Sequence, residues 1–148
     1  MSKPILILNG PNLNLLGTRE PEIYGATTLP QVEDMCREEA SARGFKISFH
    51  QSNSEAEIIG WIQGAVSGAA GIIINPAAFT HTSVAILDAL KMVPCPVIEL
   101  HISNPHAREE FRHKSFVSLA ATGVICGLGV DGYKLAIQAM AGLLDRSA

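Results

Sequence analysis

The 148 residues carry 47% hydrophobic and 17% charged side chains, which excludes a disordered chain and is enough for one globular domain over residues 1–148. Eleven Lys and Arg stand against 14 Asp and Glu, and the net charge of −3 gives no electrostatic case for nucleic acid or an anionic membrane. No apolar run reaches the roughly 18–20 residues that span a bilayer.

An apolar run, Ile5-Leu6-Ile7-Leu8, opens the chain and reads as a buried strand ending at Asn9. It begins within five residues of the start, leaving no room for a signal peptide. Cys36, Cys95 and Cys126 are odd in number, far apart and without a CxxC pair, so they read as buried, reduced thiols. Together these features point to the cytoplasm. Residues 9–25, NGPNLNLLGTREPEIYG, follow with no helical or strand period. Loops of that length are uncommon and often serve as functional lids. This one carries Arg19 and Tyr24, five residues apart.

Thr28 with Gln31 forms a capping box for a helix whose buried stripe is Leu29, Val32, Met35, Cys36 and Ala40, closed by Gly44. Residues 45–50 alternate Phe45, Ile47 and Phe49 with Lys46 and Ser48, the pattern of an edge strand. Ser54 and Glu57 form a second capping box, and Ile58, Ile59, Ile62, Ala65 and Val66 line the helix that follows. Residues 71–75 are the third strand. A polar turn over residues 79–83 leads into a short helix through Val84, Leu87 and Leu90. Asp88, four residues after Val84, falls on the stripe a monomer would bury, and the alternative is a surface acid paired with Lys91. Strand four covers residues 97–100, a polar stretch runs from 101 to 114, strand five covers 122–126, and the last helix runs from Asp131 to about Asp145.

Strands and helices alternate five times. That is the pattern of an α/β fold, a flavodoxin-like doubly wound sheet of five parallel strands with helices on both faces. In such a fold ligands bind beyond the carboxyl ends of the strands, at the switch point. The groups expected to converge there are Asn9, Asn12, Asn14, Arg19 and Tyr24 after strand one, and His50 and Gln51 after strand two. Asn75 and His81 follow strand three, and Glu99, His101, Ser103 and Asn104 lie at or after strand four. Glu99 lies inside an apolar strand, where an unpaired carboxylate is costly. His101 is two residues on and shares its face, so the pair reads as a carboxylate holding an imidazole tautomer.

Gly127 to Gly132 matches GxGxxG, but only 16 residues follow, too few for the second strand and acid of a dinucleotide site. There is no P-loop, no GxSxG elbow and no metal spacing among the five His.

The stretch Asn9-Gly10-Pro11-Asn12-Leu13-Asn14, with Gly17, Arg19-Glu20-Pro21 and Tyr24-Gly25, closely resembles the opening signature of type II 3-dehydroquinate dehydratases. A second block runs from Ile74 through Asn75 and His81 to Ser83. A third runs Glu99-Leu100-His101-Ile102-Ser103-Asn104 and on to Arg108 and Arg112. The closing glycines, from Gly123 to Gly132, belong to the same pattern. The resemblance spans nearly the whole chain.

It implies reversible loss of water from 3-dehydroquinate through an enolate, in the shikimate pathway or in quinate breakdown, with no metal or organic cofactor. Tyr24 would be the base at C2, with Arg19 stabilising its anion. Asn12 would act on the enolate through a water. His101 would protonate the leaving hydroxyl, with Glu99 orienting it. Asn75, His81, Ile102, Ser103 and Arg112 would hold the substrate. Asp88 would reach a neighbouring subunit in trimers assembled into a homo-dodecamer. A non-catalytic flavodoxin-like binding module for a small hydroxy acid is the alternative.

Overall fold

Five short strands form a single sheet in the computed structural model, which describes residues 2–18 and 21–147, without the side chains of residues 23, 24 and 147. They are β1 (Ile5–Asn9), β2 (Ile47–Gln51), β3 (Gly71–Asn75), β4 (Val97–His101) and β5 (Gly123–Cys126). The order is β2-β1-β3-β4-β5, with every pair parallel. β1, β3 and β4 are buried at every position, as continuous apolar runs are when helices cover both faces. β2 is half-buried along its length, as expected for an edge.

The helices are α1 (Pro21–Tyr24), α2 (Leu29–Ala42), α3 (Glu55–Gly68), α4 (Val84–Leu90) and α5 (Asp131–Ser147). Strand side chains alternate between faces. Ile5 and Ile7 of β1 therefore join Val32 and Cys36 of α2 and Ile137 and Met140 of α5 in one core. Leu6 and Leu8 join Ile58 and Ile62 of α3 and Ile86 and Leu90 of α4 in the other. The chain leaves β1 toward β2 under α2, then returns across to β3 under α3. The winding reverses between β1 and β3, and that is the switch point.

The register aligns Asn9 with both Gln51 and Asn75, so the carboxyl ends of the three neighbouring strands are level. Just beyond them Gly10 donates its N–H to the Asn75 carbonyl at 2.8 Å. A β-carbon on Gly10 would lie 2.3 Å from the Pro76 carbonyl oxygen, so only glycine permits the two loops to touch.

Several expectations need correction. The 9–25 segment is not featureless: a 3-10 turn at Leu13–Leu15 and the four-residue α1 interrupt it. The Thr28–Gln31 box has both its bonds, whereas the Ser54 hydroxyl accepts from Glu57 N–H without a reciprocal bond among the described residues. Val66 is 45% exposed and does not belong to the buried stripe of α3. Cys36 is buried, but Cys95 and Cys126 are only half-buried. Asp88 is exposed, as is Val84 one turn before it. The buried face of α4 is Ile86, Leu87, Ala89 and Leu90. The polar 101–114 stretch holds two 3-10 turns, Pro105–Ala107 and Glu110–Arg112. Among the described residues no helix is long and apolar enough to cross a membrane.

Candidate active site

A crevice of about 290 Å³ opens beyond the carboxyl ends of β1, β3 and β4. Asn12 comes from the loop after β1, and Asn75 and His81 from β3 and the turn after it. His101, Ile102 and Ser103 come from β4 and its exit, and Arg112 from the segment that follows. Arg108, Leu13 and Leu16 line it as well and were not singled out from the sequence. The described lining holds two arginines and two histidines and no carboxylate, so the crevice favours an anion.

Asn12 lies in the left-handed region, φ 72°, which Asn tolerates through its short polar side chain. Its N–H donates to Asn53 Oδ1 at 2.9 Å, and that bond fixes the root of the loop. Ala77, also in the lining, has φ 53°, where a residue with a β-carbon stores about 1 kcal/mol of strain. Its N–H donates to Asn75 Oδ1 at 3.3 Å.

Asn75 is the end of a buried relay. Its Nδ2 donates to the Tyr133 hydroxyl at 3.1 Å, and that hydroxyl donates to Asn9 Oδ1 at 2.6 Å. Asn9 Nδ2 in turn donates to the His50 carbonyl at 3.0 Å. Burial pushes the Tyr133 phenol well above its usual range, so it is a fixed neutral hydrogen-bond bridge. Asn9 is therefore a core residue and not a crevice group. His50 and Gln51 also stay out: His50 stacks on Trp61 at 4.6 Å, and Gln51 donates to the Gly10 carbonyl at 3.1 Å. Asn14 is exposed and Asp88 lies on the outer face of α4. Neither lines the crevice.

Glu99 and His101 form the buried pair that the strand spacing predicted. Glu99 is 1% exposed, and its carboxylate accepts from His101 Nε2, Thr80, Ser115 and Ser118. Burial alone would raise its pKa. The hydrogen bonds from His101, Ser118 and Ser115 outweigh that effect and hold it below the usual carboxylate range. An ionised carboxylate only accepts, so His101 carries its proton on Nε2 and Nδ1 is left for a ligand. His81 has the opposite tautomer: Nδ1 donates to the Lys114 carbonyl at 2.8 Å, leaving Nε2.

The carbonyls of Ile102 and Ser103 turn into the next loop, accepting from Gly129 N–H at 3.0 Å and Gly127 N–H at 3.1 Å. Outside the strand ladders their own N–H groups donate to nothing among the described residues. The Ser103 hydroxyl accepts from Arg108 Nη1 at 3.2 Å. Arg112 donates to Glu109 at 3.1 Å and lies over the Phe111 ring. Arg19 and the Tyr24 side chain lie outside the described residues.

Chemically, this is a crevice with a carboxylate-backed imidazole, two guanidiniums and a pair of open backbone donors. It suits acid–base chemistry on a small, anionic, oxygen-rich molecule. Among the described residues no group of three or more His, Cys, Asp or Glu is arranged to hold a metal ion.

The family model described as dehydroquinase class II matches residues 3–141. The 3-dehydroquinate dehydratase of Phenylobacterium zucineum is 61% identical over 143 residues, covering 97% of this chain and 99% of that protein. The 3-dehydroquinate dehydratase 2 of Pseudomonas aeruginosa is 53% identical over 148 residues, 100% of both chains. The crystal structure of the type II dehydroquinase from Propionibacterium acnes matches with a TM-score of 0.90 at 48% identity, over 96% of this chain and 98% of that one.

Proposed function

We propose a division of labour among the crevice residues of this chain, which belongs to the dehydroquinase class II family and is a 3-dehydroquinate dehydratase, a hydro-lyase. That membership favours the enzyme over the non-catalytic binding module. The reaction converts 3-dehydroquinate to 3-dehydroshikimate and water, and it serves the shikimate pathway or quinate breakdown. It runs in one domain, in the cytoplasm, without metal or organic cofactor.

Tyr24 is the base that removes the C2 proton alpha to the ketone. A free tyrosine has a pKa near 10 and is mostly protonated at neutral pH. Bringing it down by about 2–3 units takes roughly 3–4 kcal/mol of preference for the anion. Arg19, always cationic and five residues away on the same segment, supplies much of it in a site shielded from water. The enolate that forms is stabilised by Asn12 through a water.

His101 then protonates the leaving hydroxyl at C1. For that step it must be an imidazolium, with Nε2–H on Glu99 and Nδ1–H toward the hydroxyl. The buried Glu99 anion offsets the charge. Tyr24 ends the turnover holding the C2 proton and His101 one proton short, so exchange with solvent resets both. The substrate carboxylate is held by the N–H groups of Ile102 and Ser103 and by the Ser103 hydroxyl, with Asn75, His81 and Arg112 on the carboxylate and ring hydroxyls. Arg108, bonded to that serine hydroxyl, holds it in place.

Asp88, exposed on α4 beside exposed Val84, is read as reaching into a neighbouring subunit, within trimers assembled as a dodecamer.

The observation that carries the reading is the Glu99–His101 pair at a switch-point crevice whose described lining holds no carboxylate. An ultraviolet assay with 3-dehydroquinate tests it. The expected result is absorbance from the conjugated enone product, unchanged by ethylenediaminetetraacetate. Binding without that absorbance restores the binding-module reading, and loss of it on chelation contradicts the metal-free mechanism.

A further inference from the structure

Glu99 has more donors than its charge needs. One imidazolium partner would balance it, yet three hydroxyls also converge on its two oxygens. Ser115 Oγ is 2.8 Å and Thr80 Oγ1 3.3 Å from Oε2, which His101 Nε2 also meets. Ser118 Oγ donates to Oε1. The Thr80 and Ser115 hydroxyls are themselves 2.6 Å apart. Each hydroxyl has a single proton. The two shorter contacts are satisfied together when Thr80 donates to Ser115 and Ser115 donates to Glu99. The backbone holds this order: Phe116 N–H donates to the Thr80 carbonyl at 2.8 Å, and Ser118 N–H to Ser115 Oγ at 3.3 Å. None of the three belongs to the crevice lining. They face Glu99 from a second cavity of about 270 Å³ behind the pair.

We propose that Thr80, Ser115 and Ser118 are positioning residues for the acid step. The Ser115 and Ser118 hydroxyl protons point at Glu99 and Thr80 holds Ser115 in that orientation, so the carboxylate is left to accept the Nε2 proton of His101 and Nδ1 is committed to the substrate side. The inference rests on the reading of His101 as the acid. Without the collar, Glu99 has lone pairs free to turn away from the imidazole, and a neutral carboxyl could donate to it and reverse the tautomer.

Other charged or titratable groups face Glu99 across the second cavity: His81, His106, Arg112, His113 and Cys126. None of them makes a hydrogen bond to Glu99 among the described residues, whereas the Ser115 and Ser118 hydroxyls do. Removing hydroxyl donors takes stabilisation from the carboxylate anion, so its protonation moves toward neutral pH.

The test is the pH profile of kcat for the full-length enzyme with Ser118→Ala and with Ser115→Ala/Ser118→Ala. In the single variant kcat is expected to fall roughly tenfold, and in the double variant roughly a hundredfold, with KM changed less than about threefold. The acid limb should move toward neutral by about one pH unit, and Ser118→Thr should restore both. A fall in kcat with an unmoved profile, or a rise in KM with kcat intact, overturns the proposal. If the double variant does not fold, Ser118→Ala, at an exposed position, decides alone. Full turnover in His101→Ala would instead overturn the acid assignment, a result separable from the behaviour of the serine variants.

Discussion

At the scale of single residues, Glu99 has a measurable signature beyond catalysis. Its carboxyl is held below the ordinary 4.5 by hydrogen bonds that outweigh desolvation. A depressed folded pKa stabilises the fold above the unfolded value, and that stabilisation is lost as pH falls through the folded one. Chemical denaturation from about pH 6 down to about pH 3 should therefore show a Glu99 contribution that Glu99→Gln lacks. Equal acid sensitivity in both proteins would contradict this ionisation state. Glu99 and His101 were legible in the sequence because strand periodicity puts residues two apart on one face. Tyr133 was not. Its partners Asn75 and Asn9 are 58 and 124 positions away, and no local pattern encodes such a bridge. The same distance hid the true place of Asn9, which looks like a loop-root ligand and is a core group.

At the scale of elements, the contact that levels the crevice rim is the close approach of the β1 and β3 exit loops at Gly10. Gly10→Ala drives a β-carbon into Pro76 backbone, which cannot swing aside, and should cost roughly 2–3 kcal/mol. Gly132→Ala meets Leu100 Cδ1 at 2.7 Å, the tip of a side chain that can move, and gains helix propensity in α5. Thermal unfolding should rank Gly10→Ala well below Gly132→Ala, and the reverse order would contradict the rim contact. Strands and long helices were legible because their periods are strong. The 3-10 turns and α1 were not, since three or four residues carry no period and their shape is set by what they pack against. Asp88 was misread for a related reason. Over the seven residues of α4, a single exposed Val84 was enough to rotate the inferred stripe by one position.

At the scale of the whole molecule, five alternations of strand and helix announced a doubly wound sheet, and that sheet located the crevice before any side chain was placed. Assembly is a property of surfaces, which alternation does not encode. On the proposed dodecamer, light scattering behind size exclusion should give a mass near twelve times the 15.8 kDa chain. A monomer with full activity would remove any role for Asp88 across an interface. The central claim is that this molecule eliminates water with Tyr24 as its base, on the segment that also carries Arg19. The direct measurement is turnover and binding of 3-dehydroquinate by Tyr24→Phe. We expect kcat to fall about a thousandfold with the substrate Kd within about threefold of the parent, and near-normal turnover would contradict the account.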